Sequence, residues 1–357
     1  MRHKLLPLLC TFSLMIGLVG VSGCTTAETK TTVTGYKLNT IVQLDAYVKT
    51  STDVLNNALN LCDTYEKMFS RTREDSLLYQ VNHHQITEIP DELAELIQYG
   101  ITYSEQSKGA FDLTIGSVSQ LWDFTADNPK VPDAAAIQEA LQYVDYRNVT
   151  LTRNPNSAIP SSASTTQSGT AQSEDSTASS TWTISIPEGT VIDLGAIAKG
   201  YIADRIKDYL LENGVTRAVI NLGGNVLCVG RKTDTADFSI GIKKPFSQNG
   251  ESLAVLSLND QSAVSSGTYE RYFYEGDQFY HHILNPKTGY PYANALTDVT
   301  IISDASVIGD CLSTTCFTLG LDEGMKLIES LDGIEAIFVT DDGNIHYSSG
   351  AKAFIKK

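Results

Sequence analysis

The feature that most constrains this fold is a stretch with nothing to fold around. Residues 154–181, NPNSAIPSSASTTQSGTAQSEDSTASST, are small and polar, with almost no apolar side chain to bury. Such a composition cannot offset the entropy of ordering the chain, so a disordered insertion is expected. VTLTRN (149–154) before it and TWTISIP (181–187) after it both have strand character. If these two segments pair, the insertion is the long loop of a hairpin and the chain is one domain. A boundary between two domains is the rival reading, but it would forfeit that pairing.

The chain start constrains location. Arg2, His3 and Lys4 precede the apolar run LLPLLCTFSLMIGLVGV, which ends in VSGC. A basic start, an apolar core and small residues make a secretory signal over residues 1–23. The small residues immediately before Cys24 resemble a bacterial lipobox, in which the cysteine is lipidated and becomes the new N-terminus. An uncleaved anchor helix is the alternative. Either way the body lies outside the cytoplasmic membrane, lipid-anchored in the first case. TTAETKTTVTG (25–35) reads as a polar tether, so the folded domain is expected at 36–357.

Net charge is −16, and Arg2 and Lys4 leave with the signal, making the mature chain two charges more negative. That surface repels nucleic acid and anionic headgroups. It would also repel a phosphorylated substrate unless a local cation or metal compensates. Beyond Cys10 and Cys24, the cysteines are Cys62, Cys228, Cys311 and Cys316, with no CxxC and no zinc spacing. Each lies in an apolar context, so small buried residues are expected rather than a disulfide framework.

Periodicity predicts helices over 51–70, 90–109, 134–144, 196–213, 304–319 and 322–331. Strands are expected over 40–48, 217–222, 226–230, 237–243, 253–258, 262–265, 270–274, 297–302, 335–340 and 344–347. The fold class is α+β, with mainly antiparallel sheets flanked by helices.

Four stretches carry possible chemistry. DLGAIAKGYIADRI (193–206) has an acid, glycines and a lysine in its first turn. A helix N-terminus attracts anions, but the pattern matches neither phosphate-binding glycine motif, and alone it reads as a capped amphipathic helix. NLGGN (221–225) suits a tight turn or a close approach to a ligand. In SSGTYERYFYEGDQFYHHILNPKTGYP (265–291), a histidine just before an NPKTG turn could serve as a general base or simply be hydrogen-bonded. In SDASVIGDCLSTTCFTLG (303–320), Asp310 and Thr314 are four apart and share a helix face. On so apolar a helix they are either a polar stripe or a hard oxygen pair suited to Mg²⁺.

Together these stretches resemble the ApbE-type flavin transferases, the FAD:protein FMN transferases, in their lipoprotein form. The matching segments are LNT (38–40), FSRTREDSLLYQVN (69–82), GAFDLTIGSVSQLWDF (109–124) and DLGAIAKGYIAD (193–204). NLGG (221–224), SGTYERYF (266–273), HILNPKTG (282–289) and DCLST (310–314) follow in family order, so the resemblance spans about residues 36–350 apart from the insertion. It implies a T-fold-like architecture and Mg²⁺-dependent transfer of FMN from FAD to a threonine or serine hydroxyl of an acceptor flavoprotein, with release of AMP. It also implies metal ligation by the Ala196 carbonyl, Asp310 and Thr314. Flavin-nucleotide contacts would map to Leu38, Ala110, Phe111, Asp112, Asp193, Lys199 and Ile283, with His282 helping to deprotonate the acceptor hydroxyl and Asp310 as its catalytic companion. Acceptors of the family are FMN-binding domains of redox membrane complexes or extracellular reductases.

The sequence departs from the family pattern at Asn285, where an aspartate is usual, at Leu38-Asn39 in place of MG, and at Thr72 in place of an aromatic. The last two bear on adenine or flavin stacking. Two other functions fit the same residues less fully: an FAD pyrophosphatase that uses water as acceptor, and a solute-binding lipoprotein without turnover.

Overall fold

A computed structural model describes residues 30–154, 181–247 and 249–356. The expected signal, the Cys24 lipidation site and all but the two end residues of the insertion lie outside the described residues.

The chain runs β1 (Thr31–Lys37), β2 (Thr40–Ala46), α1 (Thr52–Phe69), α2 (Leu77–Asn82), β3 (Glu88–Pro90) and α3 (Asp91–Gln106). It continues with α4 (Gly116–Trp122), α5 (Ala134–Leu141), β4 (Thr150–Arg153), β5 (Thr181–Ser185), α6 (Ala198–Glu212), β6 (Ala218–Leu222) and β7 (Asn225–Val229). Then come β8 (Phe238–Lys243), β9 (Ser252–Leu258), β10 (Ser262–Gly267), β11 (Tyr272–Glu275), β12 (Gln278–His281) and β13 (Leu296–Ser303). α7 (Ser306–Leu319), α8 (Leu321–Glu329), β14 (Glu335–Thr340) and β15 (Ile345–Tyr347) complete it.

An eight-stranded sheet in the order β1-β2-β6-β7-β10-β13-β14-β15 organises the molecule. Every neighbouring pair in it is antiparallel. α1, α6, α7 and α8 cover one face, and their apolar stripes join Val42, Leu44, Ile220, Val299 and Ile301 in the main core. The β8–β9 hairpin packs on the other face, with Phe238 and Leu256 against Ala263, Ile302 and Ile337. β13, covered on both sides, therefore reads as a nearly continuous buried run instead of an alternating one. No helix among the described residues is long and apolar enough to cross a membrane. Cys62, Cys228, Cys311 and Cys316 are free and buried.

The predicted hairpin across the insertion is present. β4 and β5 pair from Thr150↔Ser185 to Arg153↔Trp182, and β3 adds to the far side of β5.

Several boundaries differ from the sequence reading. Residues 31–35 are not tether but the start of β1, paired with β2 along its whole length. Threonine and valine there are good strand formers, but only the partner strand reveals it. Leu38 and Asn39 form a two-residue turn with both φ values positive, 53° and 56°. α2, α4 and β3 were not expected, being too short for a periodicity to show. α6 starts at Ala198 instead of 196, and the strand expected at 270–274 is the first arm of the β11–β12 hairpin.

Candidate functional site

α6 begins without a cap of its own. Its N-cap residue is Ile197, which has no side-chain hydrogen bond to offer. Asp310 supplies the cap from α7: its Oδ2 accepts the Gly200 N–H at 2.7 Å. That N–H is therefore directed to a carboxylate and not to the Ala196 carbonyl four residues earlier, which stays outside the helical ladder. The close approach depends on Gly200, since a Cβ there would stand 2.4 Å from the Ser306 carbonyl oxygen. α7 in turn has Ala305 as an unproductive N-cap. Asp204 of α6 caps it, accepting the Ser306 and Val307 N–H groups at 2.8 and 2.9 Å.

Asp310 is buried, and burial pushes its carboxyl pKa up. Lys199, the Gly200 N–H and the Asn225 amide oppose that shift. Asn225 is fixed through its Oδ1 by the Ser306 hydroxyl at 2.8 Å, while its Nδ2 is buried without a hydrogen bond of normal geometry. Thr314 lies one turn further along α7, and its hydroxyl is 3.0 Å from Ser266 Oγ, which also meets Ser313 Oγ at 2.8 Å.

These groups form a set of hard oxygen donors: one buried carboxylate short of compensating charge, one hydroxyl, and a carbonyl freed from the helix. That set suits Mg²⁺, which takes few protein ligands and keeps water and phosphate in its shell. No cluster of three or more His, Cys, Asp or Glu exists among the described residues, so Asp310 is the one carboxylate of this donor set.

Asp193 stands at the head of the same turn and is held on three sides. Arg71 Nε donates to its Oδ2 at 2.8 Å, Ser119 Oγ to the same oxygen at 3.1 Å, and the Gly195 N–H to Oδ1 at 2.9 Å. Its own N–H bonds the Leu113 carbonyl at 2.8 Å, so the GAFDLT segment lies alongside. Phe111 is buried. Asp112 spends its carboxylate on Thr114 N–H, Thr114 hydroxyl and Tyr146 N–H at 2.8, 2.7 and 3.1 Å, and burial raises its pKa. Its side chain thus shapes the loop that presents Ala110 and Phe111.

Tyr292 joins that loop to the histidine segment. Its hydroxyl donates to the Ala110 carbonyl at 2.8 Å and its N–H to the Ile283 carbonyl at 3.0 Å. His281 is structural: Nε2 bonds the Tyr292 carbonyl at 2.9 Å and Nδ1 accepts the Ile283 N–H at 3.3 Å. His282 is different. The residue is half-buried, yet its Nδ1 lies out of solvent with no partner. Burial, then Arg271, His281 and Lys199, push its pKa down to about 3, so the ring is neutral.

The structure thus gathers Asp310, Lys199 and His282, with Ala196 at the same turn and Thr314 on the same helix. Asp193 meets the 110–113 segment at the Leu113 carbonyl, and Ile283 follows His282 directly. Leu38 is more distant in the chain of contacts. A Cβ at Gly223 would meet Thr40 Oγ1 at 2.1 Å, so the LNT turn abuts NLGG, whose neighbour Asn225 faces Asp310. The sequence reading missed Arg71, Ser119, Asn225, Ser266 and Tyr292 as parts of the site. Arg71, Ser119, Asn225 and Ser266 lie within motifs already singled out, and Tyr292 just beyond one; their contacts join segments far apart in sequence, which spacing does not reveal.

Comparison with known proteins places the chain in a family. The sequence profile described as the ApbE family matches residues 35–338. A Klebsiella pneumoniae (strain 342) protein named FAD:protein FMN transferase is 37% identical over 298 residues, covering 82% of this chain and 84% of its own length. A Treponema pallidum (strain Nichols) protein of the same name is 30% identical over 307 residues, covering 83% and 79%. Among solved structures, the ApbE protein of Thermotoga maritima superposes with a TM-score of 0.76 at 28% identity, covering 92% of this chain and all of that one. The flavin transferase ApbE of Vibrio cholerae, with a TM-score of 0.73 at 23% identity over 91% and 99%, supports the fold. With the profile covering most of its length and the α6–α7 site in place, this chain belongs to the ApbE family.

Proposed function

We propose that this protein transfers FMN from FAD to a threonine or serine hydroxyl of an acceptor flavoprotein. The acceptor oxygen attacks the phosphorus of the FMN moiety, the P–O–P linkage breaks, and AMP departs with the bonding electron pair. The observation that carries this reading is the Asp310 carboxylate seated on the N-terminus of α6, with Lys199 and His282 beside it. Phosphoryl transfer calls for positioning and charge stabilisation more than covalent chemistry.

Asp310, Thr314 and the Ala196 carbonyl are the residues that would hold Mg²⁺, which when bound neutralises the diphosphate and the charge growing on the leaving phosphate. Lys199 adds a fixed positive charge at the same place. His282, neutral and with no partner at Nδ1, is the residue beside this site that could receive the acceptor proton. Burial is the main cause of its low pKa; an incoming diphosphate would oppose only the smaller contributions of Arg271 and Lys199. Ala110, Phe111, Asp112, Asp193 and Ile283 line the approach for the nucleotide, with Leu38 further out.

The reading extends to place. The lipobox at Cys24 supports an exported, lipid-anchored enzyme, whose acceptors are FMN-binding domains of membrane redox complexes or extracellular reductases. Co-expression with a candidate acceptor, read by flavin fluorescence in a denaturing gel and by mass spectrometry for FMN on threonine, tests it. Labelling is expected with the native chain and none with Asp310→Ala. Rapid release of FMN and AMP from FAD and Mg²⁺, with no labelled acceptor, would establish a pyrophosphatase instead.

A further inference from the structure

Arg71 stands just beyond the end of α1, where the Ser70 N–H closes the helix on the Glu66 carbonyl at 3.0 Å. Its side chain is only 25% exposed and turns inward to Asp193, itself 22% exposed. The contact is made through Nε alone, at 2.8 Å. Among the described residues, no protein acceptor takes Nη1 or Nη2. Other arginines differ in how much of the fork they spend: Arg231, whose side chain is 46% exposed, also meets Asp237 through Nε alone, at 2.8 Å. Arg73 spends Nε and both Nη groups on Asp75 and Glu66, and Arg147 spends Nε and Nη2 on Asp145. A guanidinium anchored by one edge, with its fork unspent, is the geometry that grips a phosphate in two places.

Asp193 is left with capacity as well. A carboxylate has about four lone-pair sites, and Arg71, Ser119 and Gly195 occupy three. One site remains for a hydroxyl or amino group of a ligand. The chain also needs a cation here, because its net charge of −16 opposes the entry of any diphosphate. Thr72, the neighbour of Arg71, offers no aromatic face to stack on a ring.

We propose that Arg71 is a substrate-binding residue of this site: its Nη groups take the diphosphate of the dinucleotide while its Nε holds Asp193 for the adjacent ribose or base. This rests on the FAD reading and assigns a diphosphate contact that replaces stacking with charge.

The test is equilibrium binding of FAD, ADP, adenosine and riboflavin to the full chain without metal, for the native protein, Arg71→Met and Arg71→Lys. Arg71→Met should weaken FAD and ADP at least tenfold, adenosine by a few-fold at most through the loosened Asp193, and leave riboflavin within twofold. Arg71→Lys should recover part of the loss at low salt and little at high salt. Equal loss of ADP and adenosine would overturn the proposal, since Arg71 would then merely support Asp193; so would unchanged ADP binding. Should Arg71→Met not fold, the salt dependence of ADP binding by Arg71→Lys decides, and native-like salt dependence counts against the contact. Native protein that binds ADP but neither flavin would sink the flavin reading and leave Arg71 standing, whereas FAD binding indifferent to Arg71→Met does the reverse.

Discussion

Asp204 and Asp310 each cap the N-terminus of the helix that carries the other. Asp204, on α6, takes two N–H groups of α7, and Asp310, on α7, takes the Gly200 N–H of α6. The exchange locks two helices side by side and leaves one of the two carboxylates facing the site.

The two acids should therefore separate on mutation. Asp204→Ala strands two buried N–H groups and should cost about 2 kcal/mol or more in denaturant unfolding. Asp310→Asn keeps an oxygen for Gly200 and removes a buried charge. It should unfold within about 1 kcal/mol of the native chain, while transfer of FMN falls by roughly a thousandfold or more, several kcal/mol of lost charge stabilisation.

Gly200→Ala tests the helix contact itself. Its methyl would stand 2.4 Å from the Ser306 carbonyl oxygen and 2.7 Å from Val307 Cα, both backbone, so α6 and α7 must part. A loss of about 1–3 kcal/mol is expected, together with loss of activity. Thermal melting beside an FMN-transfer assay would show the two fall together, unlike Asp310→Asn.

Two titratable groups, Asp298 and His282, give pH dependences of opposite sign. Asp298 of β13 is buried, bonded to the Tyr269 hydroxyl at 2.8 Å and the Thr300 hydroxyl at 2.9 Å, and burial pushes its pKa up to about 7. The folded state holds its proton longer than the unfolded chain does, so its contribution is full below about pH 4 and fades as pH rises through 7. Asp298→Asn should therefore be at least as stable as the native chain at pH 8. His282 is the reverse. With its pKa pushed down to about 3, the unfolded chain takes up its proton first, so stability falls as pH drops from about 6.5 toward 3. The slope is up to about 1.4 kcal/mol per pH unit. His282→Gln should flatten that limb in urea titrations from pH 7 to 4.

Tyr292→Phe removes one hydrogen bond, hydroxyl to Ala110 carbonyl, and keeps the ring. Stability should drop by about 1 kcal/mol. Because the bond ties the Ala110 loop to the Ile283 segment, the KM for FAD should rise severalfold with kcat little changed. A fall in kcat alone would show that the loop does not depend on this tie.

Much of the scaffold was legible because local signals agreed with the fold. The long helices α1, α3 and α6 each carry a continuous apolar stripe, and the β4–β5 pairing followed from two β-rich segments flanking a stretch with nothing to bury. β1 was misread as tether because its threonines are polar, and its strand identity comes from β2. α2 and α4 are a few residues long, below any readable period.

For the site, the sequence alone determined which residue types were available and in what order: an acid and a lysine opening α6, a histidine before a turn, Asp310 and Thr314 four apart. It left open whether the first turn of α6 was a plain capped helix. Only the tertiary structure decided that. α6 has no cap within its own segment, so its N-terminal N–H is satisfied by Asp310, more than a hundred residues away. Asp193 is held by Arg71 and Ser119 from two other elements. Helix periodicity encodes which side chains share a face. Which buried charge meets which orphan N–H depends on how helices from distant parts of the chain pack together, and no local pattern records it.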